Sequence, residues 1–130
     1  MSTNQETGRV SNNEADAVNE DLHFDIKINV EKGWGTGELA TFITSRHPWD
    51  MTASIKPNPA TDVLWHTTIV IKEDGEKDRI IFEGEVNRDD KIPLPGVKSK
   101  KNFPIFYVAV QNDKSHYDGK VVADFYVKRP

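Results

Sequence analysis

From Leu22 to Val30 apolar and polar residues alternate without a break. Leu22, Phe24, Ile26, Ile28 and Val30 fall on one side, and His23, Asp25, Lys27 and Asn29 on the other. A period of two is the repeat of a strand, whose successive side chains point to opposite faces, so this segment has one side to bury. Such a strand cannot stand alone. It needs neighbours in a sheet and a second apolar layer over the buried face.

The rest of the chain supplies them. A Gly-rich break, Gly33-Trp34-Gly35-Thr36-Gly37, follows the first strand, and Leu39–Thr44 reads as a second, ended by Arg46-His47-Pro48-Trp49. Met51, Ala53 and Ile55 form a short third, closed by Pro57-Asn58-Pro59. Val63–Ile71 is the richest run in β-branched and aromatic residues and is expected to be central. The Asp74-Gly75 turn then sends the chain back through Arg79–Val86 as a hairpin. Two prolines in Ile92-Pro93-Leu94-Pro95-Gly96 remove ladder donors and confine that stretch to an edge or a loop. Phe103–Gln111 and Lys120–Lys128 are expected to make a last pair. No segment has helical periodicity, so the expected fold is an all-β antiparallel sandwich or jelly roll of seven or eight strands.

Alternation starts abruptly at Leu22. Residues 1–21 hold no sizeable apolar residue beyond Met1, Val10 and Val18, too little to offset the entropy of ordering them. They are read as a disordered acidic tail, with residues 22–130 as the β-sandwich domain. The tail carries five acids and one base; taking these from 21 acids and 17 bases leaves 16 of each. A neutral body has no long-range attraction for nucleic acid or an anionic membrane. No apolar run is long enough for a membrane span. With no cysteine, disulfides, thiolate nucleophiles and thiolate metal sites are excluded. The start lacks a basic-then-apolar leader, so cytoplasmic residence is the default expectation, with leaderless secretion left open.

Catalytic signatures are missing. His23, His47, His66 and His116 have no metal-ligand spacing between them, and His23 and His66 are expected to face solvent. Ser115, His116 and Asp118 are triad residue types, but sequence neighbours seldom have triad geometry, and a turn is the simpler reading. Asp89-Asp90 reads as a solvated turn, as does the basic cluster Lys98, Lys100 and Lys101. The expectation is that the chain is not an enzyme.

The aromatics say more. Trp65 belongs to a strand and to the core. Trp34 lies among glycines and Trp49 beside Pro48, both in predicted loops. A loop Trp either folds back as a lid on the core, the commoner fate in small domains, or waits for a ligand such as a sugar ring.

The loop from Asn112-Asp113 to Asp118-Gly119 offers oxygen donors of the kind Ca²⁺ takes, although it lacks EF-hand spacing. Tyr107-Val108-Ala109-Val110-Gln111-Asn112-Asp113, then Tyr117-Asp118-Gly119 and Phe125-Tyr126-Val127, resembles the last two strands of calcium-dependent soluble bacterial galactophilic lectins. The resemblance covers about a sixth of the chain, and Asp118-Gly119 stands where that family has Asp-Asn. It implies a jelly roll, with Asp113 and Asp118 as calcium ligands.

The first functional reading is therefore a non-enzymatic recognition module for carbohydrate. Trp34 and Trp49 would stack on sugar, and Asn112, Asp113 and Tyr117 would supply polar contacts, with or without Ca²⁺. The second is a structural or protein-interaction domain that buries the same aromatics against a partner or a second copy of itself. A hydrolase assembled from loops comes third.

Overall fold

The computed structural model describes residues 22–41, 49–100, 103–112 and 116–128. The acidic segment 1–21 lies outside them. Eight strands form: β1 (Leu22–Val30), β2 (Trp34–Ala40), β3 (Trp49–Asn58), β4 (Trp65–Lys72), β5 (Arg79–Val86), β6 (Ile92–Val97), β7 (Ile105–Asn112) and β8 (Gly119–Lys128). They pair antiparallel in two four-stranded sheets, ordered β1-β8-β3-β6 and β2-β7-β4-β5. Successive strands exchange sheets except at the β4–β5 hairpin, which is the jelly-roll order.

The core lies between the sheets and follows strand parity. Phe24, Ile26, Ile28, Trp65, Ile69, Phe106, Val108, Phe125 and Val127, the inward residues expected from alternation, are all buried. Phe24 stacks on Phe125 at 4.9 Å between ring centroids, and Phe106 from the opposite sheet meets both rings edge-on at 5.4 and 5.6 Å. This trio bridges the layers, and each such pair is worth about 1 kcal/mol beyond its buried area.

β4 is interior, between β7 and β5, as its composition predicts, and the proline-bearing β6 is an edge strand. Two expectations fail. Phe103–Gln111 and Lys120–Lys128 are not a pair: β7 joins β2 and β4, whereas β8 joins β1 and β3. Their alternation matches equally well in either sheet, so periodicity could not separate the two pairings. The second strand also begins earlier than expected, at Trp34, and takes in the Gly-rich run.

The glycines explain that shift. Gly35 and Gly37 face inward on β2 and lie against the backbone of β1. A Cβ at residue 35 would stand 2.2 Å from the Asn29 carbonyl oxygen, and one at residue 37 would stand 2.8 Å from that of Lys27. Glycine here marks close backbone approach inside a strand.

At the other side, Glu73 is buried and ties the segment after β6 to the β4–β5 hairpin. Its carboxylate accepts from the Lys100 amide at 2.6 Å, the Ser99 hydroxyl at 3.4 Å and the Arg79 guanidinium at 3.4 Å. Arg79 also donates to the Lys98 carbonyl.

Gly35→Ala should cost about 3 kcal/mol in urea unfolding, because the backbone opposite cannot retreat cheaply. Gly75→Ala is the comparison. Its Cβ would meet nothing within 4 Å, and only the positive φ of 79° opposes it, so about 1 kcal/mol is expected. Equal losses would contradict the close-approach account.

Candidate functional site

β1 turns into β2 through Lys32 and Gly33, with φ of 54° and 81°. The amides and carbonyls of Glu31 and Trp34 exchange hydrogen bonds of 3.0 and 3.1 Å across the turn. Positive φ at both central residues is the two-residue hairpin geometry whose twist suits the flanking strands. Trp34 is thus a strand residue directly after a tight turn. Alternation with Gly35 turns its side chain away from the core, and it is 54% exposed.

The last residue of β7 and two residues just before β8 are strapped to this turn. The Asn112 amide donates to the Gly33 carbonyl at 2.6 Å, and the Gly33 amide to the Tyr117 carbonyl at 2.8 Å. The Lys32 amide donates to Asp118 Oδ1 at 2.9 Å. The Tyr117 hydroxyl donates to the Pro59 carbonyl, and its ring meets Trp65 edge-on at 5.0 Å. Burial raises the pKa of that hydroxyl. Trp34, Asn112, Tyr117 and Asp118 therefore converge at one end of the sandwich. Asn112 and Tyr117 belong mainly to its construction, since Asn112 is buried and Tyr117 is anchored at ring and hydroxyl.

Trp49 does not join them. It is 8% exposed, on β3 in the other sheet, and part of the core. It pairs with Val97 beside the end of β8, whereas Trp34 lies near the beginning of that strand. Nine residue steps along β8 put about 30 Å between those ends. The loop assignments of both Trp residues are thus corrected to strands, and Trp49 takes the core role. Asp113 and Ser115 lie outside the described residues. Asp118 accepts the Lys32 amide through Oδ1. Among the described residues no three His, Asp or Glu side chains are grouped to hold a metal ion.

What sequence reasoning missed is the outer face of the β2-β7-β4-β5 sheet. Register arranges its outward residues in rows across the strands. Trp34, Gln111, His66 and Glu85 make one row, then Thr36, Ala109, Thr68 and Glu83, then Glu38, Tyr107, Val70 and Ile80. The middle row is small. By side-chain size Thr36, Ala109 and Thr68 are the low row, a trough across the strands between Trp34 and His66 on one bank and Tyr107 on the other. The banks stand four residues apart along a strand, about 13 Å. Lys72 reaches over the Tyr107 ring, its ammonium 4.4 Å from the centroid. Only pairing register assembles these residues, and no local motif carries it.

One bank holds a charged clamp. His66 Nδ1 lies 2.8 Å from Glu85 Oε2, and Nε2 lies 3.0 Å from Glu83 Oε2. Both ring nitrogens meet carboxylates, an arrangement that favours the protonated ring, in which both are donors. The hydrogen bond to Glu85, then that to Glu83, raises the His66 pKa above its ordinary 6.5.

The opposite outer face is closed by its own contacts. Tyr126 is exposed, but its ring packs on His23 with centroids 4.5 Å apart. Asp124 beneath them accepts from Lys56 at 3.1 Å and meets His23 at 3.2 Å. Burial works against the Lys56 ammonium, yet the hydrogen bond to Asp124 and the nearby charges outweigh it and raise the pKa. Asp89-Asp90 is a turn, with the Asp90 carboxylate taking the Asn87 amide at 2.9 Å. Lys100 of the basic cluster pairs with Glu76 at 3.4 Å.

No protein-family model and no curated protein matches the chain. Solved structures with a similar arrangement of strands are distant. A family 61 carbohydrate-binding module in complex with beta-1,4-galactotriose is 13% identical, with TM-score 0.45, covering 94% of this chain and 88% of its own. The family 22 carbohydrate-binding and glycoside-hydrolase modules of a Clostridium thermocellum xylanase, complexed with xylohexaose, are 9% identical with TM-score 0.41. That match covers 87% of this chain and 26% of the xylanase chain. A family two carbohydrate esterase from Cellvibrio japonicus is 13% identical with TM-score 0.30, covering 95% of this chain and 30% of its own.

The clamp predicts a pH response. His66 gains basicity in the folded state, so its contribution is whole below pH 6.5 and is lost as pH rises through the raised folded-state pKa. An NMR titration should place the His66 ring above 6.5, and Glu85→Gln should lower it. A ring titrating at or below the ordinary value would contradict the clamp.

Proposed function

We propose that the domain is a non-enzymatic carbohydrate-recognition module whose binding surface is the trough on the outer face of the β2-β7-β4-β5 sheet. One observation supports this most: an exposed Trp34 stands on a rigid strand beside a floor of small hydroxyl-bearing and methyl side chains. A sugar ring offers an apolar C–H face and a rim of hydroxyls. Trp34 matches the face at little entropic cost, because both its strand and the turn before it are fixed. Thr36, Thr68, Gln111, Glu83 and Glu85 match the rim with donors and acceptors. The site now proposed keeps Trp34 of the loop residues first considered and moves the rest onto strands.

A second reading, association of two copies through this face, draws on Ile80, 61% exposed on the edge strand β5. Light scattering separates the two, since self-association doubles the mass without a glycan.

Binding to a glycan array, run with and without Ca²⁺ because Asp113 and Asp118 were expected to hold it, tests the proposal. Trp34→Ala should abolish binding, a loss of about 2 kcal/mol or more, while stability stays within about 0.5 kcal/mol. Trp49→Ala should instead lower stability by about 3–5 kcal/mol. A Trp34→Ala protein that binds as before would remove the trough from consideration.

A further inference from the structure

The clamp at His66 has a charge that bears on which glycan fits, an inference that rests on the carbohydrate reading above. Glu85 lies directly across from His66 in the same row, and Glu83 ends the row that floors the trough. Each spends Oε2 on the imidazole, so in each the second oxygen, Oε1, keeps its lone pairs for another donor. One ring meets both carboxylates, at 2.8 and 3.0 Å, and so draws the two toward it. Two carboxylates face one imidazole, so this end of the trough is net negative whether or not the ring carries its second proton. Among the described residues of these strands, the other outward charges are Glu38 and Lys72, both near Tyr107 on the opposite bank, and Lys72 reaches over that ring.

We propose that the trough selects uncharged glycans, with Glu83 and Glu85 accepting hydrogen bonds from sugar hydroxyls while their charge refuses acidic glycans, and with His66 as the residue that positions the pair. A hydroxyl donating to a carboxylate makes a charge-assisted hydrogen bond, roughly twice as strong as a neutral one. A carboxylate on the ligand would bring no proton to those acceptors and would face a like charge at short range, a penalty of about fivefold in affinity at about 4 Å even with the full screening of water and larger near a protein surface.

The test uses the full chain and trisaccharides of glucose, galactose and mannose. Each is paired with an analogue in which one primary hydroxyl is oxidised to a carboxylate. Calorimetry should show at least one neutral member binding, with its oxidised analogue weaker by about fivefold or more. Amide shift changes should include those of Glu83 and Glu85. The double variant Glu83→Gln with Glu85→Gln, its melting temperature checked first, should bind the neutral sugar less tightly and the oxidised one more tightly. A purely structural role would lower both together. Oxidised analogues binding as well as or better than neutral ones would overturn the charge selection and leave the glycan reading standing. No binding by any member of either series would overturn both.

Discussion

The fold depends on how closely β2 lies on β1. The strands belong to different sheets, and the turn through Lys32 and Gly33 carries the chain from one layer to the other. That corner closes because residues 35 and 37 have no Cβ: the spaces where one would stand are occupied by the carbonyl oxygens of Asn29 and Lys27. The same parity that turns Gly35 and Gly37 inward turns Trp34 and Thr36 outward. A packing requirement on one face of β2 thereby places an aromatic ring on the other. Asn112, Tyr117 and Asp118 then lock the corner by donating to and accepting from Lys32 and Gly33.

The two outer faces show how similar ingredients yield different surfaces. On the β1-β8-β3-β6 face, Tyr126 is packed against His23, and both oxygens of Asp124 are engaged, by His23 and by Lys56. Ring and charge there are spent within the protein. On the β2-β7-β4-β5 face, Trp34 projects from an edge strand, and the carboxylates of Glu83 and Glu85 are fixed without being exhausted. Surface ion pairs contribute little to stability on average. The clamp therefore adds little to the stability of the fold, and on the proposed reading its work is to hold two acceptors in register.

Much of the architecture was legible in the sequence because burial follows alternation. The inward residues of β1, the central position of β4, the Asp-Gly hairpin and the edge placement of the proline-bearing β6 all follow from local pattern. Four features were not legible, each for a physical reason. The Gly-rich run reads as a break until the backbone it packs against is known. The partners of β7 and β8 depend on tertiary topology, which alternation leaves degenerate. Trp49 beside Pro48 looks like a loop residue, yet it starts β3 and is covered by the core. The trough was invisible for the deepest reason, since its floor, Thr36, Ala109 and Thr68, comes from three strands aligned only by hydrogen-bond register.

The central claim is that recognition belongs to one face of one sheet, and residue-by-residue amide NMR during titration with a bound glycan tests it most directly. The account predicts that the largest shifts map to Trp34, Thr36, His66, Thr68, Tyr107, Ala109 and Gln111, with Lys27, Asp124 and Tyr126 on the opposite face unmoved. Shifts centred on that opposite face, or around Trp49 at the far end of the sandwich, would contradict it.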